Sequence, residues 1–363
     1  MSQKPIHAVH IYILLIISTG FVVHVLDLSV LLAIAKRDSW LSVVFSVIPV
    51  TIWILLVFYI YKKLNHHDLI SFLKNSFSQW IFVTFSAIFC CYFLITAFIT
   101  LKFTVYWAKD NYTLDFPNFV VVILFSFVCY YASVKGLRTI ATMAFLVLPF
   151  VLFFGFLVGL GNTPNKNYEQ LFPLFEDGYK GFFQGIGYAC ASLFEVFFIL
   201  FLTKNLTDKL KLKWLILVGL FLIGISFGPL AAGIAEFGSV EAGKLRNPAY
   251  EEWKLLTLGQ HITRLDFLSI FQWLSGAYIR ISLSLFIAGR VFPNKSENRW
   301  VLPTLYFILI VAACIPWDAI SFISFLKKFY FPISLIFQIS TMLLLLLLMK
   351  IKVRGHENAS GNK

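Results

Sequence analysis

Charge is scarce in this chain. Asp, Glu, Lys and Arg make up 13% of its 363 residues, where a soluble domain carries about a quarter. The deficit runs the whole length, and 59% of the residues are hydrophobic. A surface so poor in charge faces hydrocarbon, so the sequence reads as an all-α, polytopic membrane protein. Cysteine is sparse as well. Cys90, Cys91, Cys129, Cys190 and Cys314 all lie inside apolar runs, with no CxxC pair. That argues against a disulfide framework and against a paired-cysteine metal site, and leaves them as small hydrophobes. Missing too are HExxH, GxSxG and any His/Asp set sharing one membrane layer. No catalytic residue, metal or cofactor is therefore expected. His66, His67 and Asp68 adjoin one another in a basic loop and read as a solvated cluster.

What is present is a succession of apolar runs. A bilayer core takes about 20 apolar residues as helix. Ten such spans fall near 8–35, 40–61, 80–101, 117–134, 139–160, 181–203, 214–235, 267–289, 300–317 and 329–349. The first is too long for a cleaved leader and follows only Lys4 as a basic flank. The whole chain is then one membrane domain with a short polar tail, 350–363. The net charge of +12 resides largely in short loops, which signals orientation rather than nucleic-acid binding. Lys62, Lys63, Lys74, Lys204, Lys209, Lys211, Lys213 and Lys350 fall on the richer side. The positive-inside rule therefore puts both termini in the cytoplasm.

Ten spans divide into five and five, about 8–160 and 181–349. Because five is odd, equivalent halves would have inverted topology, an arrangement that sets a substrate site at mid-membrane where helices are interrupted. The first span of each half carries a weak point: Ser18, Thr19 and Gly20 in "IISTGFVVH", and Gly181, Gly185 and Gly187 in "GFFQGIGYACAS". Broken helices 1 and 6 are the expectation. Glycine in a membrane helix also serves close packing, which is the alternative at each position.

Ionisable residues inside apolar runs mark the candidate site, since each costs roughly 2.5–3.5 kcal/mol at a helix centre. Glu195 follows the small patch that ends at Ser192. Facing the bundle, it would accept an ammonium group, bond Arg280 or carry a proton. Ser18, Thr19, Gly20, Gly187, Ser192 and Glu195 are the expected ligand-binding set. Arg280 in span 8 is permanently ionised and must have partners, with Asp27 and Glu195 the candidates. His24 and Asp27, three apart, share a face of span 1. They would be a proton-responsive pair or a structural one. Asn247 and Pro248 start a helix whose Tyr250, Trp253 and Leu256 oppose Glu251, Glu252 and Lys254. It is expected to lie amphipathically at the outer surface.

Several stretches together resemble a known family. These are "DSWLS" at 38–42, "YYASVKGLRTIA" at 130–141, "LFPLFEDGYKGFFQG" at 171–185 and the run 247–283 from "NPAYEEW" through "TRLD" and Trp273 to "YIRISL". They look like the B subunit of spore nutrient-germinant receptors, the spore germination permease branch of the amino acid–polyamine–organocation superfamily. Asp266 stands where that family more often has glutamate, and Arg280 where lysine is commoner. The resemblance implies the five-plus-five transporter fold, residence in the spore inner membrane, and assembly with an A subunit and a lipoprotein C subunit. It implies sensing of a small nutrient, usually an amino acid. Spans 1 and 8 form a cation site in transporters of that fold, so Arg280, with Asp27 and Ser282, is expected to act as a built-in cation. The alternative is a working proton-coupled amino acid permease using Glu195 or Asp27.

Overall fold

The computed structural model describes residues 5–64, 69–257, 259, 261–291 and 298–360; the cluster His66–Asp68 lies outside them. Helix dominates because in hydrocarbon every backbone N–H and C=O must be paired within its own segment. The first half comprises α1 (Ala8–Phe21), α2 (Leu28–Ala35), α3 (Ser39–Phe45), α4 (Val47–Lys63), α5 (Leu69–Ser76), α6 (Gln79–Asn111), α7 (Asn118–Lys135) and α8 (Leu137–Gly161). The second comprises α9 (Tyr179–Leu193), α10 (Leu212–Phe237), α11 (Ser239–Ala242), α12 (Pro248–Leu255), α13 (Leu268–Arg290), α14 (Asn298–Cys314), α15 (Ala319–Phe325) and α16 (Phe331–Ser360).

Among the described residues eight helical stretches are long and apolar enough to cross a membrane. They are α1 with its extension to Leu26, α6, α7, α8, α9 with its extension to Phe201, α10, α13, and the Ala319–Lys350 stretch of α15 and α16. The pair Leu28–Phe45 and Val47–Lys63, bent by 41°, makes a ninth. The run expected near 300–317 is the shorter apolar helix of α14.

Loop contacts sort the ends of these helices onto two faces. On the N-terminal face, the Ala8 amide donates to Asp208 at 2.8 Å and the Leu210 amide to the Tyr61 hydroxyl at 3.1 Å. On the opposite face, Lys36 pairs with Asp177, Arg37 with Glu176 and Arg246 with Asp110. There, too, Lys102 of α6 donates to the carbonyls of Ala313 (2.8 Å) and Ile315 (2.7 Å). Its ammonium caps the end of α14, satisfying carbonyls that no further helical turn supplies.

Burial separates a centre from a periphery. Of the apolar window in each span, 78% is buried in α1, 72% in α9 and 67% in α13, against 28% in α7 and 11% in α8. Exposed Phe127, Phe145, Phe150, Phe153 and Phe156 cover the outer sides of α7 and α8. Spans 1, 6 and 8 are thus the enclosed ones, and the charges singled out in the sequence all lie on them.

Candidate functional site

Arg280 is the hub. It is fully buried on α13 and holds Glu195 bidentately, Nη1 to Oε2 and Nη2 to Oε1 at 2.7 Å. Its Nε donates to Thr100 Oγ1 of α6 at 3.0 Å, and Nη1 also reaches the Ser18 carbonyl of α1 at 3.2 Å. One guanidinium therefore joins spans 1, 3, 6 and 8. The planar fork suits a carboxylate and spares it an unmatched charge in a dry interior. Tyr92 and Tyr330 lie close enough to act on the pair electrostatically. The buried Tyr330 hydroxyl lies toward both Thr96 and the Arg280 guanidinium.

Both spans expected to break do depart from α geometry, but not at their glycines. Ser18, Thr19 and Gly20 lie in unbroken α-helix. The departure is a π-helical segment, Val22–Leu26, closed by Asp27 N donating to Val22 O at 3.0 Å. In span 6 the α-helix passes through Gly181, Gly185 and Gly187, and a 3-10 run starts at Phe194 and ends at Phe201. The glycines serve packing instead. A Cβ at Gly185 would stand 2.5 Å from Ser42 Oγ, one at Gly181 2.9 Å from the Ile34 carbonyl, and one at Gly20 3.2 Å from Ile225 Cδ1.

The cause of each departure comes from another span. An α-helix needs the Ser18 carbonyl for the amide of residue 22, and Arg280 takes a share of that carbonyl just where the π segment begins. In span 6, Gln338 donates to the Ala191 carbonyl at 3.1 Å and Trp53 to the Phe194 carbonyl at 2.9 Å. The Trp53 ring also stacks on Phe194 at 4.2 Å. Side chains inserted into the backbone ladder are a known cause of such irregularity.

The remaining candidates are distributed as follows. Asp27 does not meet Arg280. It is fully buried, its carboxyl lies within reach of the Ser192 hydroxyl and of the charge on Glu195, and neither oxygen makes a hydrogen bond of good geometry. His24 lies within the π segment, and its Nδ1 is 3.1 Å from the Ile225 carbonyl of α10. The hydroxyls of Ser18 and Thr19 are buried without a partner, and that of Ser192 lies toward Asp27. Ser282 turns away from the hub and donates to the Cys129 carbonyl of α7 at 3.3 Å. Gly187 faces Leu335 of α16 and stands apart from the Arg280 contacts.

Above the hub, toward the face that carries α12, aromatic rings close the interior. Trp273, two turns from Arg280 on α13, stacks on Trp107 at 4.3 Å and on Phe103 at 5.9 Å, with Phe21 edge-on at 6.2 Å. Beside this stack, spans 1, 5, 7 and 8 and α12 line a half-open cavity of 460 Å³. It touches Gly20 and His24 but none of the other sequence-selected ligand residues. Its polar end holds Glu252, expected on the wet side of α12 but in fact 3% exposed. Burial, then the nearby Glu236, push its carboxyl well above the usual range, and Lys166 works against them. Neither this burial nor the role of Lys102 was among the expectations. A lysine inside the 79–111 run was the available signal for the second; for Glu252, on an ordinary polar segment, there was none.

A buried charged hub among apolar crossings marks a multi-pass helical membrane protein. A family model described as "Spore germination protein" matches residues 8–323. The chain is also 36% identical over 329 residues to spore germination protein XB of Bacillus anthracis, covering 90% of this chain and 92% of that protein. The chain belongs to the spore germination permease family. That is a family of germination membrane proteins rather than a class of enzymes.

Proposed function

We infer that this chain is the transporter-like subunit of a nutrient-germinant receptor, which binds a small nutrient, an amino acid by preference, and so starts germination. It would reside in the spore inner membrane with both termini cytoplasmic, in two inverted halves, and act with an A subunit and a lipoprotein C subunit. The observation that carries this reading is the hub: Arg280 ties the interrupted spans 1 and 6 to spans 3 and 8 through Ser18, Thr100 and Glu195. The shape of both spans depends on bonds made by other spans, and a ligand can compete for such bonds.

Glu195 is occupied by Arg280, so the acid available to an ammonium group is Asp27, with the buried hydroxyls of Ser18, Thr19 and Ser192 as further contacts. Arg280 supplies a fixed cation next to the span 1 backbone, which removes any need for bound sodium. Occupancy would favour one of two arrangements of spans 1 and 6 in proportion to its differential affinity. The test is a germinant panel on spores carrying Asp27→Asn, with protein level measured alongside. The expected result is at least a tenfold rise in the nutrient concentration needed, with unchanged protein level and no dependence on sodium. An unaltered panel, or strict sodium dependence, defeats the reading. Uptake of labelled amino acid by the chain alone in liposomes would replace it with a permease.

A further inference from the structure

The cavity beside the hub has its own chemistry. Phe21, Leu152, Ile225, Trp253 and Trp273 make its walls apolar. At Gly159, Gly224 and Gly228, all on the lining, an added Cβ would meet nothing within 4 Å, so the space extends to the helix backbones. Its volume of 460 Å³ is in the range of about 300–1,000 Å³ that small-molecule sites occupy.

Charge at one end is unbalanced. Glu236 and Glu252 act on each other electrostatically, and among the described residues Lys166 is the one cation that faces both. Lys166 is already engaged: its Nζ donates to the Gly159 carbonyl at 2.5 Å and stands 3.7 Å from Glu236 Oε1. Glu252 lines the cavity, is buried, and its Oε1 has no hydrogen-bond partner. Nearby charges are spent elsewhere: Lys254 on Glu251 and Arg264 on Asp266. His24, the other ionisable group of this lining beside the tyrosines, faces the Ile225 carbonyl. A buried acid with an unpartnered oxygen next to aromatic walls can hold an ammonium on an apolar body, through a charge-assisted hydrogen bond and cation–π attraction.

We propose that this cavity is a second binding site, independent of the Asp27 reading, for a hydrophobic primary amine of about one ring's size, its ammonium on Glu252. A free amine and the headgroup of an amino-phospholipid share this chemistry. The experiment uses the full chain in nanodiscs of phosphatidylglycerol and measures saturable binding of radiolabelled phenethylammonium. Displacement by 2-phenylethanol should be at least tenfold weaker than by the amine. Glu252→Gln should lower affinity at least tenfold, Gly228→Leu should abolish binding by filling the space, and Asp27→Asn should leave it unchanged. Loss of binding in phosphatidylethanolamine discs would identify the headgroup as the occupant; retention would identify the free amine. Equal competition by the alcohol, or wild-type affinity in Gly228→Leu, overturns the proposal. Should Glu252→Gln fail to fold, those two comparisons still decide it.

Discussion

Two buried charged clusters lie on neighbouring sides of span 1, and they differ in balance. At the hub one guanidinium meets one carboxylate, and two of its other three donors go to Thr100 and the Ser18 carbonyl. At the cavity two carboxylates share one engaged lysine. Balanced charge in a dry interior fixes geometry, because removing either partner strands the other. Unbalanced charge beside a cavity leaves bonding capacity for something that arrives. Span 1 touches both, through Ser18 on one side and Gly20 and His24 on the other.

The largest expected effect breaks the balanced side. Arg280→Met keeps bulk and leaves Glu195 buried without a cation, which should cost about 3–5 kcal/mol, read as a loss of thermal stability of the purified protein. Adding Glu195→Gln should recover much of that loss, since both members of the pair are then neutral. If the double variant is no more stable than Arg280→Met alone, the pair is not what holds spans 6 and 8 together.

A middle-sized effect comes from the glycines, which separate packing from openness. Gly185→Ala places a Cβ 2.5 Å from Ser42 Oγ and 3.0 Å from Ala35 Cβ. It should destabilise by about 1–3 kcal/mol, as overpacking does. Gly224→Ala meets nothing within 4 Å and should be neutral or slightly stabilising, since alanine favours helix by about 1 kcal/mol over glycine. Equal melting temperatures for the two variants would contradict the packing assigned to span 6.

The hub residues could be read from the sequence, and their pairing could not. An acid or a guanidinium inside an apolar run is costly, so Glu195 and Arg280 stand out singly. Their contact spans 85 positions of chain, and by the same reasoning Asp27 was an equal candidate for Arg280. The two irregular helices were anticipated from glycine, a local cue, whereas the departures follow from Arg280, Gln338 and Trp53 on other spans. Nothing within "IISTGFVVH" encodes that. Glu252 escaped notice for a different reason: on a short helix between spans, a glutamate is ordinary until tertiary packing buries it. What local hydrophobicity encodes is which stretches enter the membrane; which polar groups meet inside depends on the assembled bundle.

The smallest effect sharpens the unbalanced side. Burial raises the Glu252 carboxyl well above its unfolded value. A carboxyl raised on folding lends the native state its full benefit below the unfolded pKa, and that benefit drains away as pH climbs through the folded one. Glu252→Gln removes the titration, so it should be near neutral in acid and more stable than the parent by about 1 kcal/mol in alkali, where the parent must bury a charge. The measurement is the difference in melting temperature between the two proteins across pH without amine. Phenethylammonium should then narrow that difference by stabilising the parent alone, because only the parent presents a carboxylate to it. A difference that shrinks with pH in the absence of amine would mean that Lys166 already neutralises Glu252, and the cavity would then match the hub instead of contrasting with it.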